Sequence, residues 1–176
     1  MLNPGSKVEN FMAPAMVNGD KGSLSLNDYK GKWTVLVFYP FDFTPVCASE
    51  LVAFNESLGE LEKRGAAVIG ASCDTIFSHI AWNKELATQK TASGEASGGI
   101  KFPVIGDITK HVAKQFGVLN EEKGHPHRAA FIIDPNQVIR AVLCNDTPIG
   151  RNTDEVIRLI DAFQTGTACK VNWRPG

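Results

Sequence analysis

Four cysteines offer the most specific chemistry in this chain: Cys47, Cys73, Cys144 and Cys169. No two of them form a Cys-x-x-Cys motif, so their spacing predicts neither a zinc ribbon nor a local dithiol redox motif. A free cysteine is most often an inert buried thiol. We therefore expect a reactive thiol only where neighbouring residues favour the thiolate.

Cys47 is the cysteine whose local sequence predicts such a site. It follows an apolar run at 33–39, typical of a buried strand, and begins a helical pattern that continues to about residue 64. Free N–H groups and the dipole at a helix N-terminus stabilise an anion, and so a thiolate. Thr44 is placed either to cap this helix or to hydrogen-bond a ligand. Two prolines in the same loop restrict its backbone.

The rest of the pattern alternates strands with helices. Strands are predicted at 66–72, 102–105, 129–133 and 138–143, and helices at 76–89, 108–116 and 154–164. The last two strands are joined by the turn sequence Asp-Pro-Asn-Gln. This order predicts an α/β sandwich with a mixed central sheet flanked by helices, the thioredoxin-like fold, with an N-terminal extension.

Composition excludes several classes of protein. The 176 residues contain 18 Lys and Arg against 19 Asp and Glu, a net charge of −1, and 43% are hydrophobic. These values indicate one soluble globular domain and argue against a protein that binds nucleic acid. No apolar run approaches the ~20 residues needed to cross a bilayer. The first residues lack a secretion signal, so we expect a cytoplasmic protein that does not associate with membranes.

The segment FYPFDFTPVCASEL, residues 38–51, resembles the PxxxTxxC loop of the typical two-cysteine peroxiredoxins of the alkyl hydroperoxide reductase C type. Further segments resemble the same family in the same order along nearly the whole chain. They lie at 72–82, 102–119, 127–135 and 145–164.

The resemblance implies a role for each matching residue. Cys47 matches the peroxidatic cysteine, whose thiolate attacks a peroxide. Thr44 and Pro40 match the pair that hydrogen-bonds the peroxide and shields the thiolate. Arg128 matches the arginine that activates the thiol and stabilises the polarised O–O bond.

The resemblance also implies a supporting ion pair and a second thiol. Glu50 and Arg151 match the pair, in which a guanidinium binds a carboxylate one turn after the thiol. Cys169 matches the resolving cysteine, which forms a disulfide with Cys47 of the neighbouring subunit. The chain thus divides into a peroxiredoxin domain, 1–165, and a C-terminal segment with the resolving cysteine, 166–176.

Family membership would further imply the reaction partners. The substrates would be hydrogen peroxide and alkyl hydroperoxides, and the electron donor a thioredoxin-like protein or a flavin disulfide reductase. The protein would form homodimers, five of which would assemble into a decamer. Neither a metal ion nor a bound organic cofactor is expected.

Two other functions remain open at this stage. One is a non-catalytic binding or holdase module on the same scaffold, which would have no use for Thr44, Cys47 and Arg128 together. The other is a one-cysteine peroxidase or a redox relay. The family-like context of Cys169 disfavours the one-cysteine peroxidase but does not exclude the relay.

The remaining cysteines and histidines receive structural interpretations. Cys73 and Cys144 each end a predicted strand, and we expect both to be packing thiols. His125 and His127 are too few to predict a metal site. His79 lies in a helical pattern and is assigned no special role.

Overall fold

The computed structural model describes residues 1–176. The strands are β1 Met12–Val17, β2 Asp20–Ser25, β3 Trp33–Phe38, β4 Ala66–Ser72, β5 Val104–Gly106, β6 Leu119–Asn120, β7 His125–Pro126, β8 Arg128–Ile133 and β9 Ile139–Asn145. The helices are α1 Pro45–Glu56, α2 Leu58–Lys63, α3 Ile76–Leu86, α4 His111–Gln115 and α5 Thr153–Gln164, and a 3-10 turn spans Leu26–Tyr29. None of the helices is long and apolar enough to cross a membrane.

Seven strands form one mixed sheet in the order β2-β1-β5-β4-β3-β8-β9, and β6 and β7 form a separate ribbon. Strands β3, β4 and β5 run parallel, whereas the other neighbours pair antiparallel. Apolar side chains of α1, α2, α3 and α5 pack on one face of the sheet, and those of α4 and the N-terminal segment pack on the other. The predicted mixed sheet flanked by helices, the thioredoxin-like fold, is confirmed.

Strand β3 is the centre of both hydrophobic cores. Val35 and Val37 face one core and Leu36 and Phe38 the other, and none of the four is exposed. A strand buried on both faces needs this continuous apolar sequence rather than an alternating one. The rigid end of β3 therefore fixes where the loop before α1 begins.

The single helix predicted from residue 47 to about 64 is wrong, because the structure contains two helices. Ser57 ends α1, and its hydroxyl donates a hydrogen bond of 2.9 Å to the carbonyl of Ala53. This local bond competes with the helix ladder, and Gly59 weakens helix formation further. The first helix also begins earlier than predicted, with Pro45 in its first turn, where a missing N–H costs nothing.

The helix predicted from residue 108 begins only at His111. Lys110 has a left-handed backbone, with φ of 62°. The Asp107 carboxylate accepts hydrogen bonds from the amides of Val112, at 3.2 Å, and Ala113, at 2.8 Å. The left-handed backbone of Lys110 therefore marks the start of the helix, and Asp107 accepts hydrogen bonds from the free amides of its first turn.

Two other elements differ from prediction. The helix expected to run to residue 89 ends at Leu86, and the strand expected at 102–105 spans Val104–Gly106, after Pro103. Proline cannot donate to a strand ladder, which accounts for the later start of the strand.

The predicted N-terminal extension contains a hairpin that joins the main sheet. Strands β1 and β2 meet at Asn18-Gly19, whose φ angles are 52° and 79°. Asn-Gly with both φ angles positive is the favoured two-residue hairpin turn. Strand β1 then pairs with β5 through Ala15 and Ile105.

Candidate active site

Cys47 is the third residue of α1 and only 1% exposed. The loop that leads to it starts at the buried end of β3 and includes Pro40, which is also buried. Thr44 takes the N-cap position by backbone conformation, but its side chain makes no capping bond. Its hydroxyl donates instead to the carbonyl of Phe41, at 2.9 Å. Of the two roles that the sequence left open for Thr44, the structure excludes side-chain capping.

Arg128 is the polar side chain that reaches the sulfur of Cys47. Its Nη1 lies 3.5 Å from Cys47 Sγ, and Arg128 is only 2% exposed. Nε and Nη2 both donate to the carbonyl of Thr147, at 3.0 and 2.8 Å. This forked contact fixes the plane of the guanidinium, so one nitrogen is aimed at the sulfur.

Glu50 joins Arg128 to a second buried guanidinium. Its Oε2 accepts from Arg128 Nη1, at 2.5 Å, and from Arg151 Nη2, at 2.8 Å. Its Oε1 accepts from Arg151 Nε, at 2.8 Å. Arg151 also donates to the carbonyl of Phe38, at the end of β3. The predicted pair of Glu50 and Arg151 is therefore present and ties α1 to the sheet.

The charges of this cluster leave a surplus of positive charge beside the sulfur. Burial by itself would raise the pKa of Glu50, but the hydrogen bonds and charge of Arg151, with the charge of Arg128, lower it below its ordinary value. Burial would lower the pKa of Arg128, but the contacts with Cys47 and Glu50 raise it. Two guanidiniums thus share one carboxylate, and the excess positive charge lies next to Cys47 in a region closed to water.

Cys169 does not come near Cys47 within this chain. Its sulfur lies 3.6 Å from Thr165 Oγ1 and 3.7 Å from the carbonyls of Ala162 and Thr167. These residues belong to the end of α5 and the irregular segment after it, and all four cysteines are free thiols. The structure therefore brings Thr44, Glu50, Arg128 and Arg151 together around Cys47 and leaves Cys169 apart.

The two other cysteines differ from each other. Cys73 is half-buried, and burial together with the charge of Asp107 raises its pKa to about 11. This agrees with the expected packing thiol. Cys144 is exposed, so the packing role predicted for it is wrong. The reason is that β9 lies at the edge of the sheet, a position that sequence pattern alone does not reveal.

One buried polar network was missed by the sequence analysis. Asp42 lies in the loop before α1 and accepts a hydrogen bond of 2.8 Å from the hydroxyl of Tyr39. The Nδ1 of His79 lies 2.7 Å from the other oxygen of Asp42. Since 37 residues separate His79 from Asp42, no local pattern could have joined them.

The histidines at 125 and 127 do not form a metal cluster. His125 is buried, with its ring 4.7 Å from that of Phe41 and its Nδ1 facing the carbonyl of Pro126. The structure contains no group of three or more His, Cys, Asp or Glu side chains placed to hold a metal ion.

Comparisons of the sequence and of the structure with known proteins agree with one another. The model of the AhpC/TSA family matches residues 4–142. Thioredoxin peroxidase of Fasciola hepatica is 40% identical over 179 residues, which cover 99% of this chain and 90% of the relative. Peroxiredoxin 2 of Drosophila melanogaster is 44% identical over 170 residues, which cover 94% and 85%. The crystal structure of reduced Plasmodium vivax 2-Cys peroxiredoxin superposes with a TM-score of 0.86 at 34% identity and covers 97% of this chain and 89% of that one.

Proposed function

This chain belongs to the AhpC/TSA family and is a peroxiredoxin, a thiol-dependent peroxidase, and we propose that Cys47 is its peroxidatic residue. The observation that carries the proposal is the contact of 3.5 Å between Arg128 Nη1 and Cys47 Sγ at the first turn of α1. Cys73 and Cys144 have no such partner among the hydrogen bonds of the structure.

The first step we propose is attack of the Cys47 thiolate on one peroxide oxygen. The S–O bond forms as the O–O bond breaks, so sulfur is oxidised to sulfenic acid and the peroxide leaves as an alcohol or water after taking up a proton. Arg128 is placed to stabilise negative charge on sulfur and on the departing oxygen. Thr44 and Pro40 shape the loop where the peroxide binds. Glu50 and Arg151 hold Arg128 in place.

The second step we propose is condensation of the sulfenic acid with the thiol of Cys169, which forms a disulfide and releases water. The two sulfurs must come to ~2 Å apart, and Cys47 is buried, so the loop and first turn of α1 must open. We assign the thiol to Cys169 of a neighbouring subunit, as the family resemblance implies. In support, Cys169 contacts Ala162, Thr165 and Thr167 within its own chain and not the residues around Cys47.

We propose the reaction partners from this cycle together with the family resemblance. An external dithiol must reduce the disulfide, and we propose a thioredoxin-like protein or a flavin disulfide reductase. The substrates are hydrogen peroxide and alkyl hydroperoxides, and the assembly is a homodimer that forms a decamer. A cycle that ends on a free thiol needs reducing surroundings, so we propose the cytoplasm as its compartment. We also propose 1–165 as the peroxidase domain and 166–176 as the segment that delivers the resolving thiol.

Two serine variants test the proposal. Cys47→Ser should abolish peroxide consumption, because an alcohol is far less acidic and less nucleophilic than a thiol. Cys169→Ser should consume about one peroxide per site and then stop turning over when a thioredoxin-like protein is the electron donor. Cys144→Ala is the matched control and should keep full turnover.

Mixing the two serine variants tests the subunit assignment. After subunit exchange and one equivalent of hydrogen peroxide, a non-reducing gel should show a covalent dimer. That dimer joins Cys47 of one chain to Cys169 of the other. A gel with monomer alone from wild type and mixture would instead support the one-cysteine form. Loss of the covalent dimer in Cys144→Ala would show that Cys169 had been wrongly assigned as the resolving cysteine.

A further inference from the structure

The loop of residues 39–44 is held closed by groups outside the peroxidatic site. The carboxylate of Asp42 accepts from Tyr39 Oη, at 2.8 Å, and faces His79 Nδ1, at 2.7 Å. The backbone amide of Asp42 donates to the Asp74 carboxylate, at 3.0 Å, and that carboxylate also accepts from Ser72 Oγ, at 2.6 Å. One loop residue is therefore bound to Tyr39, the residue that follows β3, to the segment after β4, and to α3.

The two ring nitrogens of His79 both face acceptors. Nδ1 faces the Asp42 carboxylate, and Nε2 lies 3.0 Å from the carbonyl of Ile105 in β5. The carbonyl cannot donate, so Nε2 must carry a proton, and the short contact to Asp42 needs a second proton between the two groups. The side chains of His79 and Asp42 are each 1% exposed, so water cannot replace either contact. The pair is thus a complete, dry hydrogen-bonded link from the loop to the sheet.

The closed loop contains a residue in an unfavourable conformation. Phe43, next to Asp42, has φ of 56°, in the left-handed region that disfavours side chains with a β-carbon. Its side chain is 52% exposed, with its ring 5.8 Å from that of Trp82. A strained residue persists only where its surroundings hold it, and opening of the loop would release the strain. Asp42 is the buried residue beside it that opposes this release.

We propose that His79 is a positioning residue of the peroxidase reaction. By its hydrogen bond to Asp42, His79 sets the equilibrium between two states of the loop. The closed loop is reactive toward peroxide, and the open loop makes Cys47 accessible. The proposal rests on the proposed function, since that function requires both states. His79 makes no hydrogen bond to Cys47 or Arg128. Its polar contacts with the loop are the one to Asp42 and a longer one, of 3.4 Å, to the hydroxyl of Tyr39.

The test compares His79→Asn with His111→Asn, the same substitution at an exposed histidine. Opening is measured on the reduced protein by brief exposure to a bulky maleimide and mass spectrometry of the Cys47 peptide, a readout that does not involve Cys169. Closure is measured by the second-order rate constant for hydrogen peroxide. We expect labelling of Cys47 in His79→Asn to rise about tenfold, the loss of one charge-assisted hydrogen bond. The peroxide rate constant should fall by a smaller factor, since it follows the fraction of closed loop, and that fraction stays large while the open state is the minor one. His111→Asn should match wild type in both.

Asp42→Asn provides the second variant if His79→Asn does not fold. This substitution keeps the size of the side chain but not its charge. As in His79→Asn, it should raise the labelling of Cys47 and lower the peroxide rate constant. A purely structural role would lower the melting temperature without this opposite movement of the two rates. Unchanged labelling and peroxide rates in the folded variants would overturn the proposal. Failure of the proposed function is separate, because it would show as a wild-type protein that forms no disulfide between Cys47 and Cys169.

Discussion

Arg128 illustrates how one side chain can serve two purposes at the scale of the residue. Two of its nitrogens donate hydrogen bonds to the carbonyl of Thr147, and the third donates to Glu50 and to the sulfur of Cys47. A guanidinium can do this because its donors form a rigid planar fork, whereas an ammonium group is a point charge.

Arg128→Lys should therefore slow the reaction with peroxide although the charge is kept. Loss of a donor that faces developing negative charge costs on the order of a hundredfold in rate. Stopped-flow measurement of the second-order peroxide rate constant checks this. Arg140→Lys is the matched control, because Arg140, on β9, pairs with Asp134 in the turn between β8 and β9, away from the site. An Arg128→Lys enzyme with the wild-type rate constant would contradict the role assigned to the fork.

Cys73 should be the slow thiol of this chain. Because burial and Asp107 raise its pKa to about 11, it should alkylate on the order of a hundredfold more slowly at pH 8 than an ordinary thiol. Iodoacetamide labelling of a variant with the other three cysteines replaced by serine measures this rate. Fast labelling would show that Cys73 is not packed as the structure has it. Cys73→Ala should keep full peroxidase turnover.

At the scale of the elements, the site exists because β3 and β8 are neighbours. Val37 pairs with Ala130, so Arg128, two residues before Ala130, lies beside the loop that follows β3. Glu50 on α1 then binds Arg128 on β8 and Arg151 in the segment before α5. One carboxylate thus connects three elements in the interior, and its removal would leave two buried charges without a partner.

Glu50→Gln should destabilise the protein in a pH-dependent way. The pKa of Glu50 is lower in the folded chain, so its stabilisation is present above the unfolded value of ~4.3 and is lost as pH falls toward the folded value. At neutral pH we expect a loss of about 3–5 kcal/mol in the free energy of unfolding. The gap between variant and wild type should narrow at acid pH.

Urea unfolding at pH 7 and at about pH 3, well below the unfolded pKa of ~4.3, measures both effects. The matched control is Glu60→Gln, since Glu60 also pairs with cations but lies at the surface. That variant should unfold nearly as wild type does at both values. A gap for Glu50→Gln that stays constant with pH would mean that Glu50 is not ionised in the folded chain.

For the whole molecule, the exposed aromatic side chains of the loop before α1 point to assembly. Phe41 is 43% exposed and Phe43 52%, beside the elements that must move during the cycle. Large apolar side chains close together on a surface are typical of contacts between subunits. We expect this region to contact a neighbouring dimer in the proposed decamer.

Light scattering of the reduced protein should give the mass of ten chains. Phe41→Glu should shift the population toward dimers, because it would place a charge in a contact that excludes water. A wild-type protein that is dimeric at all concentrations tested would refute the decamer, and a Phe41→Glu decamer would exclude this loop from the interface.

Features that depend on local pattern could be predicted from the amino-acid sequence. The apolar run of β3, the loop with Thr44 and the cysteine at the start of α1 are local, and the family motifs predicted the partners Glu50, Arg128 and Arg151. The mixed sheet also followed from the order of elements. Asn18-Gly19 is a typical two-residue hairpin sequence, from which the turn between β1 and β2 could also have been predicted.

Which distant groups meet depends on the packing of the elements against one another. The exposure of Cys144 depends on β9 being an edge strand, and the separation of Cys169 from Cys47 depends on where α5 ends. The link between Asp42 and His79 joins a loop to a helix 37 residues away. The physical reason is the same in each case: burial and hydrogen-bond partners are set by packing between elements, and periodicity along the chain records only the face that each element buries.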